Sequence, residues 1–245
     1  MLDIRDLTKS FGSLAVLRGV QLHVRSGRVT AVLGHNGAGK TTLIKSILGL
    51  TRPDGGTIHL DGQPATGDGY RARIGYMPQI ARFPGNLSAT ELMAMLADLR
   101  GAGGRHDVGM LDDELVDRFD LGPHLHKPLR TLSGGTRQKV NAVLAFRFRP
   151  SLLILDEPTS GLDPVSSGVL KDRISAERLG GRTVVLTSHI TSELEELADD
   201  VAFLIEGRVA FSGSVEELLL RTGQQRLERA IAQVMRSRPM LREVA

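Results

Sequence analysis

A glycine-rich segment, GHNGAGKTT at residues 34–42, constrains the possible fold of this chain more than any other feature of the sequence. It follows a short apolar run, VTAVL, and precedes TTLIKSILGL, where apolar residues recur at helical spacing. The segment fits the pattern G-x-x-x-x-G-K-[ST], whose glycines let backbone N–H groups turn toward phosphate oxygens between a strand and a helix. The sequence therefore predicts an α/β fold with a phosphate-binding loop after a strand.

The residue types in this loop suit a nucleotide. Lys40 supplies a positive charge for the β- and γ-phosphates, and the Thr41 hydroxyl can ligate Mg²⁺. The positive end of the following helix adds to the attraction. The residues that we expect to contact the nucleotide here are Gly34, His35, Asn36, Gly37, Ala38, Gly39, Lys40, Thr41 and Thr42.

Two carboxylates follow a second apolar run, in LLILDEP. The C-terminal ends of parallel strands open on the ligand crevice, so we expect Asp156 and Glu157 to lie beside the glycine-rich loop. Asp156 would then hold the Mg²⁺ shell, and Glu157 would orient or deprotonate an attacking water. The alternative interpretation is a carboxylate pair that caps a turn before Pro158.

A second glycine pair opens a predicted helix in LSGGTRQK, at residues 132–139. The N-terminus of a helix attracts anions, and one triphosphate does not need two such ends from one chain. We therefore infer that Ser133, Gly134 and Gly135 close over a nucleotide held by another subunit.

Short β-type runs alternate with helical stretches, as expected for a largely parallel sheet with helices between its strands. Turn signals at Asp61-Gly62 and near Gly207 predict antiparallel additions. The candidate strands are residues 29–33, 152–155, 183–187 and 201–205.

Helical patterns replace β-type runs between about residues 83 and 148, which predicts a helical subdomain within a domain spanning residues 1–220. Residues 221–245 contain six arginines against two glutamates and are predicted to form a basic helical tail. This tail is interpreted as a solvated helix or as a contact with acidic lipid headgroups or a partner.

Composition excludes several classes of protein. The chain has no Cys, so disulfides, thiol nucleophiles and Cys-ligated metal centres are excluded. No apolar run approaches the ~18 residues needed to cross a bilayer. The start, MLDIRDLTKSFG, lacks the apolar region of a signal peptide. The formal net charge of +3 is too small to indicate nucleic-acid binding. We therefore expect a cytoplasmic protein.

Taken in order along the chain, these segments resemble the nucleotide-binding subunits of ABC transporters over essentially the whole sequence. The resemblance rests on Phe11, the 34–42 loop, Gln79, LSGGT, LLILDEP, SGLD at 160–163 and His189. It implies a P-loop NTPase core with a mainly parallel sheet, an antiparallel β subdomain and a helical subdomain. It also implies an ATPase that uses ATP and Mg²⁺, forms a head-to-tail homodimer and drives a separate integral membrane permease from the inner face of the cell membrane.

The resemblance also implies roles for single residues. Phe11 would stack on adenine, although an ordinary core Phe is the alternative. Gln79 would reach Mg²⁺ and sense the membrane partner, and His189 would contact the γ-phosphate. The implied catalytic residues are Glu157, His189 and Gln79, and the implied metal ligands are Thr41, Gln79 and Asp156.

The same resemblance implies a specific role for the second glycine pair. Ser133, Gly134 and Gly135 would bind the γ-phosphate of the opposite subunit, and Asp163 would link the two sites. Thr136 stands where the family usually has Gln, so its contacts differ from the family pattern.

Within the family, the sequence looks more like the ATPases of exporters than those of importers with extended C-terminal domains. The segments at 132–146 and 152–164 also resemble the Nos-type copper-processing ATPases of nitrous-oxide-reductase maturation. The alternative from another class is a soluble ABC-type ATPase that acts on DNA or ribosomes. Proteins of that class have longer chains than this one. The first 220 residues are also nearly neutral, which disfavours a nucleic-acid partner.

Overall fold

The computed structural model describes residues 1–101 and 111–236. Ten strands lie in these two ranges. They are β1 (Leu2–Phe11), β2 (Leu14–Val24), β3 (Val29–Leu33), β4 (Gly55–Leu60), β5 (Gln63–Pro64), β6 (Ile74–Met77), β7 (Leu152–Asp156), β8 (Thr183–Thr187), β9 (Asp200–Ile205) and β10 (Arg208–Ser214).

Eight α-helices accompany the strands in the same ranges, with 3₁₀ turns at Gly69–Arg73, Gly122–His124 and Leu129–Thr131. The helices are α1 (Lys40–Ile47), α2 (Ala89–Gly101), α3 (Glu114–Arg118), α4 (Gly134–Phe146), α5 (Pro164–Leu179), α6 (Thr191–Leu197), α7 (Val215–Thr222) and α8 (Leu227–Arg236). None of the helices in the described part of the chain is long and apolar enough to cross a membrane.

The larger sheet has six strands in the order β10-β9-β3-β8-β7-β6. The five strands from β9 to β6 are parallel, and β10 pairs with β9 in the antiparallel direction. All residues of β3 and β8 are buried, as expected for central strands covered on both faces. The predicted hairpin lies between β9 and β10, with positive φ at Glu206 and Gly207. The prediction of a mainly parallel sheet with antiparallel additions is confirmed.

The smaller sheet is antiparallel, with the order β2-β1-β4-β5. The predicted turn at Asp61-Gly62 connects β4 to β5. The strands β1 and β2 were not predicted, because register shifts interrupt their pairing and break the alternation of apolar residues. One shift falls between Ile4 and Leu7, where Asp6 has a φ of 48°.

The α-helices α2, α3 and α4 lie in the described residues between β6 and β7. The predicted capping box begins α2: Glu91 Oε2 accepts from the Ser88 amide at 2.8 Å, and Ser88 Oγ accepts from the Glu91 amide at 3.2 Å. Buried Arg173 connects this region to helix α5 by donating to Asp112 at 2.6 Å. The treatment of about 83–148 as a separate subdomain stays a prediction.

The helix α8 belongs to the basic tail and is amphipathic. Leu227, Ala230 and Val234 are buried in the main hydrophobic core, whereas Arg229 and Arg236 are exposed. Only one face of α8 is therefore solvated. A contact of the arginine face with lipid or a partner stays a prediction, and the rest of the tail, residues 237–245, lies outside the described residues.

Gly75 on β6 provides a test of the packing between the sheet and α4. A Cβ added at this position would lie 2.1 Å from the carbonyl oxygen of Ala145 and 2.7 Å from Cγ of Pro150. Because backbone cannot easily give way, we expect Gly75→Ala to lower the free energy of unfolding by about 1–3 kcal/mol. Chemical denaturation measures this change.

The matched control is Gly168→Ala in α5, where an added Cβ meets no atom within 4 Å. Alanine in a helix interior is favoured over glycine by about 0.5–1 kcal/mol, so this variant should be as stable as the parent or more so. Equal stability of the Gly75 and Gly168 variants would contradict the packing at β6.

Candidate functional site

Four neighbouring strands end at the same edge of the larger sheet and position the predicted site. The glycine-rich loop follows β3, and His189 lies just after β8. Asp156 is the last residue of β7, Glu157 comes next, and Gln79 lies just after β6. Since these strands are adjacent and parallel, their C-terminal ends meet in one crevice. The crevice contains a cavity of about 440 Å³, lined by loop residues 35–42 together with these four side chains.

The loop conformation requires glycine at three positions. Gly37 and Gly39 have φ values of 81° and 107°, which side chains rarely adopt. A Cβ on Gly34 would lie 2.3 Å from the carbonyl oxygen of Leu204 on β9. The backbone of the loop therefore approaches the sheet more closely than any other residue type would allow.

Lys40 begins α1 and extends its ammonium back across the loop. Its Nζ donates to the carbonyl oxygens of Gly34 at 2.5 Å and His35 at 3.3 Å. Burial lowers the pKa of Lys40 below its usual value, although the negative charges of Glu157 and Asp156 act in the opposite direction. An anion in the cavity would favour the charged form further, so the site is electrostatically suited to phosphate.

Glu157 is held by contacts at its backbone and at both carboxylate oxygens. Its amide donates to the carbonyl oxygen and to Oγ1 of Thr187, each at 3.1 Å, and its φ is 48°. Gln79 Nε2 donates to Oε2 at 2.8 Å, and His189 Nε2 lies 2.8 Å from Oε1. Glu157 therefore contacts directly both of the other residues predicted to be catalytic.

Asp156 lies one residue earlier, at the end of β7. Its Oδ1 accepts a hydrogen bond from Thr187 Oγ1 at 2.5 Å. Burial and, to a lesser extent, the charge of Asp156 raise the pKa of Tyr76 to about 12. Asp156, Gln79 and Thr41 all line the same cavity and offer oxygen donors, which is the ligand chemistry that Mg²⁺ prefers.

The segment from Ser133 to Gly135 does not line this cavity. Ser133 caps α4, and its Oγ accepts from the Thr136 amide at 3.1 Å and lies 2.8 Å from Thr136 Oγ1. Gly134 lines a different groove, which it shares with Gln79. Within one chain, the second glycine pair and the phosphate-binding loop therefore belong to separate surfaces.

Phe11 also lies outside the cavity lining, at the end of β1. Its side chain is 53% exposed, and Lys9 Nζ lies 5.4 Å from the centre of its ring. The alternative of an ordinary core Phe is therefore wrong. Leu14 and Val16 of β2 line the cavity instead, and they were missed because β2 itself was not predicted.

Asp163 caps the N-terminus of α5. It accepts from the amide of Ser166 at 2.9 Å and from the hydroxyl of Ser166 at 2.6 Å, and Lys139 Nζ lies 3.4 Å away. The hydrogen bonds from Ser166 hold the pKa of Asp163 far below its usual range. This aspartate is therefore charged at neutral pH, and Lys139 connects it to α4.

A second groove, with a volume of about 560 Å³, lies between Gln79 and α4. Three arginines line it, Arg82, Arg130 and Arg137, together with Ile80, whose side chain is 74% exposed. We call it the arginine groove. Its lining combines positive charge with exposed apolar surface.

Comparison with known proteins identifies the family. Residues 17–160 match the family model described as ABC transporter. The chain is 36% identical over 222 residues to the daunorubicin resistance ATP-binding protein DrrA3 of Streptomyces coeruleorubidus, covering 90% of this chain and 70% of that protein. It is 32% identical over 221 residues to the Nod factor export ATP-binding protein I of Ralstonia nicotianae, covering 89% and 68%.

A solved structure agrees with these sequence relatives. The structure described as the ATP-binding subunit of an ABC transporter superposes with a TM-score of 0.88 at 30% identity. The match covers 96% of this chain and 99% of that one. The predicted fold class is thus confirmed. With this fold, a phosphate-binding loop facing Glu157, and a family match over more than half of its length, the chain belongs to the ABC transporter family as an ATP-binding, ATP-hydrolysing subunit.

Proposed function

We propose that the chain binds ATP with Mg²⁺ in the cavity at the sheet edge and works as a head-to-tail homodimer that drives a membrane permease of an exporter. The observation that carries the proposal is the separation of Ser133 to Gly135 from the chain's own phosphate cavity. A helix N-terminus with glycines and a serine suits an anion, so a second copy is the natural source of the phosphate that it would contact.

The loop and Lys40 would bind the triphosphate. Residues 35–42 line the cavity, and α1 begins within this stretch, so the positive end of the helix would attract the phosphates. Thr41, Asp156 and Gln79 would supply the oxygen ligands for Mg²⁺. When bound, Mg²⁺ neutralises charge on the β- and γ-phosphate oxygens. The exposed ring of Phe11 is available for stacking on adenine.

Glu157 would act as the general base for the attacking water. Gln79 Nε2 contacts one of its oxygens and His189 Nε2 the other. Each carboxylate oxygen has two lone pairs, so it can keep its present contact and still accept a hydrogen bond from water. Gln79 and His189 would thus orient the carboxylate for proton transfer from that water.

The transport direction rests on the relatives. One similar protein is named for Nod factor export and another for daunorubicin resistance. Both names fit removal of a compound from the cytoplasm, so we place this chain at the inner face of the cell membrane beside an exporter permease. The resemblance to Nos-type copper-processing ATPases involves segments that serve ATP, and it stays a prediction about cargo.

A pull-down from detergent-solubilised membranes of the native host tests this function. The bait is the tagged Glu157→Gln chain with ATP, because a nucleotide-bound form that does not turn over holds its partners longest. We expect a multi-spanning membrane protein in near-stoichiometric yield. Recovery of ribosomal, DNA-bound or other soluble partners alone would instead support the alternative of a soluble ABC-type ATPase.

The arginine groove is the surface that we propose for the permease, since Gln79 lines both it and the nucleotide cavity. Its charge fits a partner with acidic and apolar side chains. We expect Arg82→Glu to reduce the recovered permease about tenfold, because like charges across an interface repel. The variant should lose coupling more than basal hydrolysis.

The control for this variant is Arg208→Glu, an exposed arginine on β10 outside the groove. It should recover as much permease as the parent chain. Equal losses of permease recovery and basal hydrolysis in Arg82→Glu would count against the groove as the docking surface.

A further inference from the structure

Glu193 is a buried carboxylate that the nucleotide cavity does not include. It lies in the first turn of α6, and only 7% of the residue is exposed. A buried carboxylate is costly unless hydrogen bonds compensate for its lost hydration. Here each oxygen has a hydroxyl donor: Thr159 donates to Oε1, and Ser188 donates to Oε2 at 2.8 Å.

The two donors belong to the two loops that carry the proposed catalytic pair. Thr159 stands two residues after Glu157 in the loop that follows β7, and Ser188 immediately precedes His189 in the loop that follows β8. Ser188 Oγ also accepts from the amide of Ile190 at 3.0 Å. The Glu193 side chain therefore connects the two loops that carry Glu157 and His189, through one hydroxyl from each loop.

The backbone conformation of Glu157 depends on support from neighbouring residues. Its backbone is in the left-handed region, with a φ of 48°, and residues other than glycine keep this conformation only when their surroundings impose it. The pair of hydrogen bonds to Thr187 fixes the amide of Glu157. The bond from Thr159 to Glu193 fixes the chain two residues later.

We propose that Glu193 is a positioning residue for ATP hydrolysis, which sets the distance between Glu157 and His189 by connecting the loops that carry them. The inference rests on the proposed roles of Glu157 and His189. It concerns turnover rather than binding, because the hydrogen bonds of Glu193 go to the loops after β7 and β8, whereas the phosphate-binding loop follows β3. A misplacement of reacting groups by about 1 Å can reduce a rate by about 100-fold.

The kinetic test compares Glu193→Ala with Glu193→Gln. We expect Glu193→Ala to lower kcat by about 10- to 100-fold while the KM for ATP changes less than about twofold. Glutamine keeps the shape of the side chain, and its amide can accept from one hydroxyl and donate to the other. Glu193→Gln should therefore recover most of the lost turnover. A parent-like kcat in Glu193→Ala, or equal losses in both variants, would overturn the proposal.

Thr159→Val provides a second variant in case Glu193→Ala does not fold, because it removes one donor and leaves the Ser188 contact in place. We expect a fall in kcat of about three- to tenfold with unchanged KM, and an unchanged kcat would contradict the inference. The control is Glu195→Gln on the exposed side of α6, which should match the parent chain in kcat and KM.

A measurement that does not depend on ATP hydrolysis distinguishes this inference from the proposed function. The side-chain ¹⁵N signals of His189 in the nucleotide-free chain report its contact with Glu157. They should move in Glu193→Ala and stay in place in Glu195→Gln. If they do not move in Glu193→Ala, Glu193 does not position the pair. If they move while kcat stays at the parent value, the catalytic roles of Glu157 and His189 are wrong, and the inference falls with them.

Discussion

Replacing Glu157 with Gln is expected to lower ATP turnover by about 100- to 10,000-fold while the affinity for nucleotide stays near that of the parent chain. The amide cannot accept a proton from water at neutral pH, so general-base catalysis is lost. The phosphate-binding loop, Lys40 and Asp156 are unchanged, so the nucleotide should still bind. Steady-state hydrolysis and equilibrium binding of a fluorescent ATP analogue measure the two quantities separately.

Glu195→Gln makes the same chemical change at an exposed position on α6 and should keep parent turnover. A Glu157→Gln chain that hydrolyses ATP at the parent rate would remove Glu157 from the mechanism. A large loss of nucleotide affinity in Glu157→Gln would show that Glu157 holds the bound state together through Gln79 and His189, rather than acting on water.

Lys40→Ala is expected to weaken nucleotide binding by roughly 10- to 100-fold, because a hydrogen bond to a charged partner contributes about 1.5–3 kcal/mol. The ammonium is partly buried and lies across the loop, where the carbonyl oxygens of Gly34 and His35 hold it in place. It can contact phosphate without much further ordering. Titration calorimetry with a non-hydrolysable ATP analogue measures the change.

Lys45→Ala is the matched control, since Lys45 is exposed on the same helix α1. Its affinity for nucleotide should equal that of the parent chain. Parent-like affinity in Lys40→Ala together with lost turnover would show that Lys40 acts only on the transition state. Equal weakening by both variants would point to the general positive charge of α1 instead.

The central strands could be predicted because each is buried on both faces, which leaves a continuous apolar run in the sequence. The runs at 29–33 and 183–187 correspond to β3 and β8 without adjustment. The strand β6 at the edge of the larger sheet was harder to predict from the sequence. The strand β6 has only four residues, and Gly75 among them is a residue that strands disfavour.

The parts of the site that lie within short sequence motifs could be predicted. The glycine-rich loop and the carboxylates after β7 carry their chemistry in adjacent residues. The contacts of Glu157 with Gln79 and His189 join positions that lie far apart along the chain, and they depend on the strand order β3-β8-β7-β6. Nothing in the single sequence identified Leu14, Val16 or Glu193, because their places follow from strand pairing and from loop packing.

The left-handed backbone of Glu157 sets two evolutionary pressures against each other. Outside glycine, this conformation costs about 1–2 kcal/mol, so glycine at position 157 would relieve strain that the active subunit must tolerate. Selection for hydrolysis retains the carboxylate, and selection for stability alone would discard it. In a duplicated copy released from catalysis, position 157 is therefore expected to be among the first to drift, and that copy would become more robust as it lost its activity.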